Sequence, residues 1–116
     1  MKRGDIVLAL FPHAGGTPSK RRPALVVQAD YYNQKIGNVL LAPITSNLAR
    51  RHDPAHYFID ISTPDGQRSG LNQSSLVSCL NIGVVPVAVV GPKIGALTAA
   101  AMSKIDDCLK AALGLP

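Results

Sequence analysis

The chain has 116 residues, 47% of them hydrophobic and 16% charged, which is the size of one domain with enough apolar material for a core and too little charge for disorder. Twelve Lys and Arg oppose seven acids, giving a formal charge of +5, and all seven acids are aspartates, so no mechanism or metal site can rest on glutamate. No apolar run approaches the ~18 residues of a membrane span. The apolar stretch behind Lys2-Arg3, from Ile6 to Phe11, is shorter than the ~7–15-residue core of a secretory leader. A soluble, cytoplasmic protein with no membrane partner is the expectation.

In chain order, Asp5 to Phe11 is β-branched and apolar and is closed by Pro12, which predicts a first strand. His13 to Arg21 is a loop dense in glycine, proline and small polar residues. Ala24 to Ala29 reads as the second strand, Tyr31 to Gly37 as a turn region, and Asn38 to Ala42 as a third strand running on towards Thr45. A polar loop carrying Arg50-Arg51-His52 separates it from a fourth strand over His56 to Ile61, after which Thr63-Pro64-Asp65-Gly66 signals a turn. Ser75 to Leu80 and Val84 to Val90 are two further strands, and Pro86 places the latter at an edge or a bulge. Thr98 is an N-cap for a terminal helix whose apolar stripe is Met102, Ile105, Leu109 and Leu113. Asp106 and Lys110 form an i,i+4 pair on it, and Gly114 closes it. Six strands and one helix in a single domain over residues 1–116 make the fold mainly β.

Chemistry concentrates in the first half, where eight Lys and Arg face four Asp between residues 1 and 60. Lys20-Arg21-Arg22-Pro23 runs directly into a strand. A guanidinium there can grip a phosphate through two parallel hydrogen bonds, and Pro23 holds Arg22 extended. The plain alternative is a solvated basic loop. Arg50-Arg51-His52 is a second basic cluster. It follows Thr45 and Ser46, whose hydroxyls are either turn formers or donors to phosphate. His13, His52 and His56 all lie in or beside loops, where histidine can move protons near neutral pH or simply face water. Tyr31-Tyr32 is the better of two aromatic sites for stacking an unpaired base. Cys79 and Cys108 form no CxxC and have no histidine pair at zinc spacing, so both read as small buried side chains. A nucleotide-binding glycine loop, a nucleophile elbow and a zinc-protease helix are all absent.

Five segments in order carry a resemblance. They are Arg3-Gly4-Asp5-Ile6-Val7; Arg22-Pro23-Ala24-Leu25-Val26-Val27 behind the basic loop; Pro43-Ile44-Thr45-Ser46 at a strand end; Ser69-Gly70-Leu71 with Ser75 and Val77 after it; and Lys93-Ile94-Gly95-Ala96-Leu97 leading to a helix with Ile105-Asp106-Asp107-Cys108-Leu109. From Arg3 to about Leu113 the chain resembles the MazF/PemK family of toxin endoribonucleases. The resemblance implies an SH3-like barrel or strongly curved antiparallel sheet of the CcdB/PemK type, with a C-terminal helix packed on it. It further implies a homodimer that binds single-stranded RNA across its interface and cuts mRNA at short motifs without a metal or cofactor. The 2′-hydroxyl would attack its own phosphate, leaving a 2′,3′-cyclic phosphate and a 5′-hydroxyl. A cognate antitoxin would occupy the same groove through a tail that folds on binding.

Carried onto this chain, the resemblance makes Arg22 and Thr45 the catalytic pair, stabilising negative charge on the phosphate oxygens. His13, in the loop where some relatives carry histidine, is the candidate for removing the 2′-hydroxyl proton. Ser19, Lys20, Arg21, Tyr31, Ser46, Arg50 and Arg51 are the candidate RNA contacts. Two departures stand out. Some relatives carry an Arg and an Asp where this chain has Ser78-Cys79-Leu80-Asn81, and often a Glu or Gln where it has Gly16-Thr17-Pro18-Ser19-Lys20. The alternative is a family member that only binds, or a gyrase poison of the CcdB kind. Such poisons rely on a tryptophan near the chain end, and this sequence contains none.

Overall fold

The computed structural model describes residues 1–11 and 20–116. Strand β1 (Asp5–Ala9) pairs with β2 (Arg22–Val26), and β2 pairs with the long β3 (Asn38–Thr45). β3 is the hub. Its free edge is divided between β5 (Ser75–Ser78), which takes Ile44 and Thr45, and β6 (Gly83–Pro86), which takes Asn38 to Leu41. β4 (His56–Ile59) adds to β5 at one end, and β7 (Val90–Ala96) adds to β1 at the other. Every pairing is antiparallel, and β4 and β7 end the path. Of the two forms expected, the open curved sheet is the one observed rather than a closed barrel.

Seven strands replace the expected six because the run from Val84 to Val90 is not one strand. It breaks at a 3₁₀ turn over Val87–Val89, where the Val87 N–H donates to Gly37 O at 2.8 Å. Pro86 ends β6 opposite Asn38, on a strand paired along one edge only, where a missing N–H is tolerated. The two turn regions also tighten into short helices, α1 (Asp30–Asn33) and α2 (Pro64–Arg68). In α2 the Thr63 hydroxyl accepts the Gly66 N–H and Pro64 supplies its fixed φ at the first turn. β4 stops at Ile59, earlier than Ile61, because the Asp60 carboxylate captures the Ser62 N–H at 2.9 Å and turns the chain.

Alternation along the strands makes two cores. Ile6, Leu25, Ala42, Ile44, Ile59 and Val77 face the terminal helix α3 (Ala99–Leu113), which returns Ala101, Met102, Ile105 and Cys108. Val7, Ala9, Ala24, Val26, Val39 and Leu41 point the other way, where the curve of the sheet brings Phe11 and Val85 over them. Thr98 caps α3 by accepting the Ala101 N–H, and Gly114 closes it with a left-handed φ of 69°. The stripe ends sooner than its spacing suggests: Leu109 is half-buried and Leu113 is 58% exposed, because the last turn runs beyond the sheet. Asp106 pairs not with Lys110 but with the Arg3 guanidinium at 2.7 Å, which ties the start of the chain to the helix.

The turn after α2 seats directly on β7. A side chain at Gly95 would collide with the backbone of Ser69, and one at Gly70, where φ is 72°, with the carbonyl of Ile94. Glycine is required at both for contact, and at Gly70 for conformation as well.

Candidate functional site

Arg22 opens β2 and Thr45 closes β3. The β2–β3 register pairs Ala24 with Pro43, so two residues further on it sets Arg22 opposite Thr45. Both are exposed, and both continue the rows of Ala24, Val26, Val39 and Leu41 on the face away from α3. Being anchored in strands, they hold a fixed spacing.

Two grooves meet at this pair. The first, about 710 Å³, is lined by Arg22 and Thr45 with Asn47, Arg50, His56 and Ser78 among others. The second, about 580 Å³, continues from the same two residues to Ser46, Asn72 and Gln73. Arg22, Pro23, Pro43, Ile44 and Thr45 line both. Among the described residues no carboxylate lines either groove, and neither Arg22 nor Arg50 is held in an ion pair. The result is a positively charged trough. Thr45 Oγ1 accepts the Asn47 N–H at 3.1 Å. Its acceptor side is thereby engaged and its own proton is left to donate outward.

The other candidates distribute as follows. Arg50 lies in the first groove and Ser46 in the second. Arg21 points away from Arg22, its guanidinium lying against Gly91 of β7. Lys20, Arg21 and Arg51 line neither groove. Tyr31 sits on α1, edge-on to Tyr32 with ring centroids 5.1 Å apart and with the Lys35 ammonium 4.9 Å above its own ring, outside both grooves. His13 and Ser19 lie outside the described residues. No group of three or more metal-ligating side chains occurs among the described residues.

One cluster, with His56 and Ser78 in the wall of the first groove and Asp53 behind them, carries no assignment from the motifs. His56 is buried, its side chain only 3% exposed, and its Nδ1 lies 2.7 Å from Asp53 Oδ2. That hydrogen bond is the main cause holding the Asp53 carboxyl below its usual range; desolvation opposes it, and the Ala55 N–H and the His56 and Arg50 charges add to the lowering. An ionised carboxylate only accepts, so Nδ1 carries the proton and donates. Across β4–β5, His56 pairs with Ser78, whose buried Oγ has no partner among the described residues. Sequence reasoning saw His56 only as one of three histidines near loops; the Asp-x-x-His spacing at 53 and 56 was the available signal.

Cys79 and Cys108 are both free and buried, as expected. Burial pushes the Cys79 thiol up to about 12 from an ordinary 9.0, and burial raises Cys108 as well.

Fold and trough together describe a small basic β-protein whose two grooves meet at Arg22 and Thr45. Residues 2–113 match the sequence model of the PemK-like, MazF-like toxins of type II toxin–antitoxin systems, and the chain belongs to that family. It is 32% identical over 117 aligned residues to the endoribonuclease MazF6 of Mycobacterium tuberculosis, covering 99% of this chain and 98% of that protein. To the endoribonuclease EndoA of Bacillus subtilis it is 30% identical over 116, covering 99% and 96%. Among solved structures it superposes on the Mycobacterium tuberculosis toxin MazF-mt6 with a TM-score of 0.77 at 28% identity, covering 97% and 98% of the two chains. A mycobacterial endoribonuclease solved in complex with its cognate antitoxin gives 0.78 at 26% identity, covering 100% and 97%. No helix among the described residues is long and apolar enough to cross a membrane.

Proposed function

We propose that the chain is the toxin of a toxin–antitoxin pair, one domain over residues 1–116. It cuts single-stranded mRNA in the cytoplasm at short sequence motifs, without a metal, and so arrests growth. The observation that carries this reading is the junction of the two grooves, where an unpaired Arg22 and an outward-donating Thr45 face the same space. In the reaction the 2′-oxygen bonds to phosphorus, the bond from phosphorus to the 5′-oxygen breaks, and negative charge builds on the non-bridging oxygens. Arg22 meets that charge through paired N–H donors and Thr45 through its hydroxyl. The 2′-hydroxyl gives up a proton, for which His13 is the candidate acceptor, and the departing 5′-oxygen gains one.

Ser46 and Arg50 hold the strand on either side of the cleaved bond, in keeping with their places in the two grooves. Lys20, Arg21, Arg51 and Tyr31 act further out, the cations among them adding long-range attraction for the RNA, and Ser19 is a further candidate contact. The partners are single-stranded RNA, a cognate antitoxin competing for the trough, and a second copy of the chain. The relative solved with its antitoxin supports the second of these. Exposed Leu80, Val84 and Val87 on and after the loop that leads into β6 support the third.

The test is incubation of the purified protein with a long unstructured RNA in EDTA, followed by mapping of the ends. Cuts at a repeated short sequence, ending in cyclic phosphate and lost in Arg22→Ala, are the expected result. RNA left intact at high protein concentration would overturn the enzymatic reading and leave a binding protein on this fold.

A further inference from the structure

We propose that His56 and Ser78, with Asp53 behind them orienting the imidazole, form a pocket that reads the hydrogen-bonding edge of one RNA base beside the cleaved bond, and thereby sets part of the cleavage motif. The inference rests on the RNA-cleavage reading above. His56 and Ser78 face each other across β4–β5, on the same side of the sheet as Thr45, and both line the first groove. The two side chains bring complementary, unspent capacity to one spot. With its Nδ1 proton committed to Asp53, a neutral His56 ring presents Nε2 as an acceptor, and no partner for Nε2 occurs among the described residues. Ser78 Oγ is buried without a partner and can donate its proton. Buried polar groups are nearly always satisfied, so an orphaned hydroxyl next to an oriented ring marks a place for a ligand's polar atoms.

Position selects the kind of ligand. The β3–β5 register pairs Ile44 with Val77, which sets Ser78 beside Pro43. His56 is then two strands from β3, about 10 Å at ~4.8 Å per strand. That is too far to share the phosphate held at Thr45, yet it lies along the same trough where a neighbouring base would rest. On the Watson–Crick edge, adenine and cytosine present an amine donor and then a ring acceptor; guanine and uracil present a carbonyl acceptor and then a ring donor. In a strand held in one direction along the trough, the fixed Nε2 acceptor meets the amine of adenine or cytosine and repels the carbonyl of guanine or uracil, and the Ser78 hydroxyl, which can donate or accept, donates to the ring acceptor of the base so seated. The pocket therefore separates amino bases from keto bases at one position. His56 is barely exposed and bonded to Asp53, so its ring does not rotate to fit both.

The test uses the full chain and a randomised RNA pool, with cut sites sequenced for the unmodified protein, Ser78→Ala and His56→Asn. Ser78→Ala removes an oxygen that bonds to nothing among the described residues, so it should melt no earlier than the unmodified protein. About a tenfold loss of amino-against-keto discrimination at one motif position, with the other positions kept, is expected for it. His56→Asn should weaken the same position. An unchanged motif in a folded Ser78→Ala protein, or an even loss across all positions, would overturn the pocket. An unmodified protein that cuts no RNA would remove the cleavage reading and the pocket with it, a result distinct from cutting with an unaltered motif.

Discussion

Thr45 owes its proposed role to its neighbour two residues on. The Asn47 N–H occupies one side of its hydroxyl oxygen, which leaves the hydroxyl proton free to donate to a phosphate oxygen. Replacing it with valine keeps the shape and removes the donor; cleavage should fall by ~10²–10³ with the fold intact, measured as single-turnover rate. Arg22→Lys keeps charge but loses the planar fork, so it should recover only a fraction of what Arg22→Ala loses. Arg22 was legible in the sequence because Pro23 sets it at the start of a strand, whereas Thr45 was reached only through the family resemblance of Pro43-Ile44-Thr45-Ser46. Ser78 was not legible, since its meaning comes from pairing with His56, 22 positions earlier. The thiols make a different prediction. Folding raises the Cys79 pKa to about 12, so the unfolded chain loses that proton first. Stability is then full below about pH 9 and declines as pH rises from there towards 12. Urea melts between pH 7 and 11 would show it, and alkylation of either cysteine should need denaturant.

At the scale of elements, α3 holds the sheet through a short stripe. Ile105 is fully buried among sheet residues. Ile105→Ala should cost about 2–5 kcal/mol in chemical unfolding, whereas Leu113→Ala, in the exposed last turn, should cost little. Caps and spacing made this helix readable from the sequence, though not the point where it leaves the sheet, which depends on how far the sheet extends beneath it. β7 was hidden for a different reason. Gly91, Pro92 and Gly95 lack the alternation that marks a strand, and the strand exists because tertiary contact demands small residues there. Gly95 admits the backbone of Ser69, and Gly91 lies under Arg21. Gly95→Ala should therefore destabilise the protein more than its surface position suggests. A thermal midpoint matching the unmodified chain would show that the turn after α2 does not seat on β7.

For the whole molecule, the formal charge of +5 is consistent with the two guanidiniums in the trough, neither of them ion-paired among the described residues. RNA affinity should fall with rising salt, and the slope of log affinity against log salt should drop by about one when Arg50 is replaced by alanine. The order of segments from Arg3 to Leu113 already pointed to the architecture. The division of the β3 edge between β5 and β6 could not be read, because it depends on pairings between distant strands.

That division has a consequence for how the molecule comes apart. β3 is bonded on both edges over most of its length, while β7 is bonded to β1 alone and through an irregular register. In deuterated water the amides of β7 should exchange first and those of Val39 to Ala42 and Ile44 last, at the rate of complete unfolding. The strand that carries Thr45 would still be intact when the far edge has already opened. A molecule frayed by heat or mild denaturant would thus keep its trough at the Thr45 end until its final, cooperative collapse.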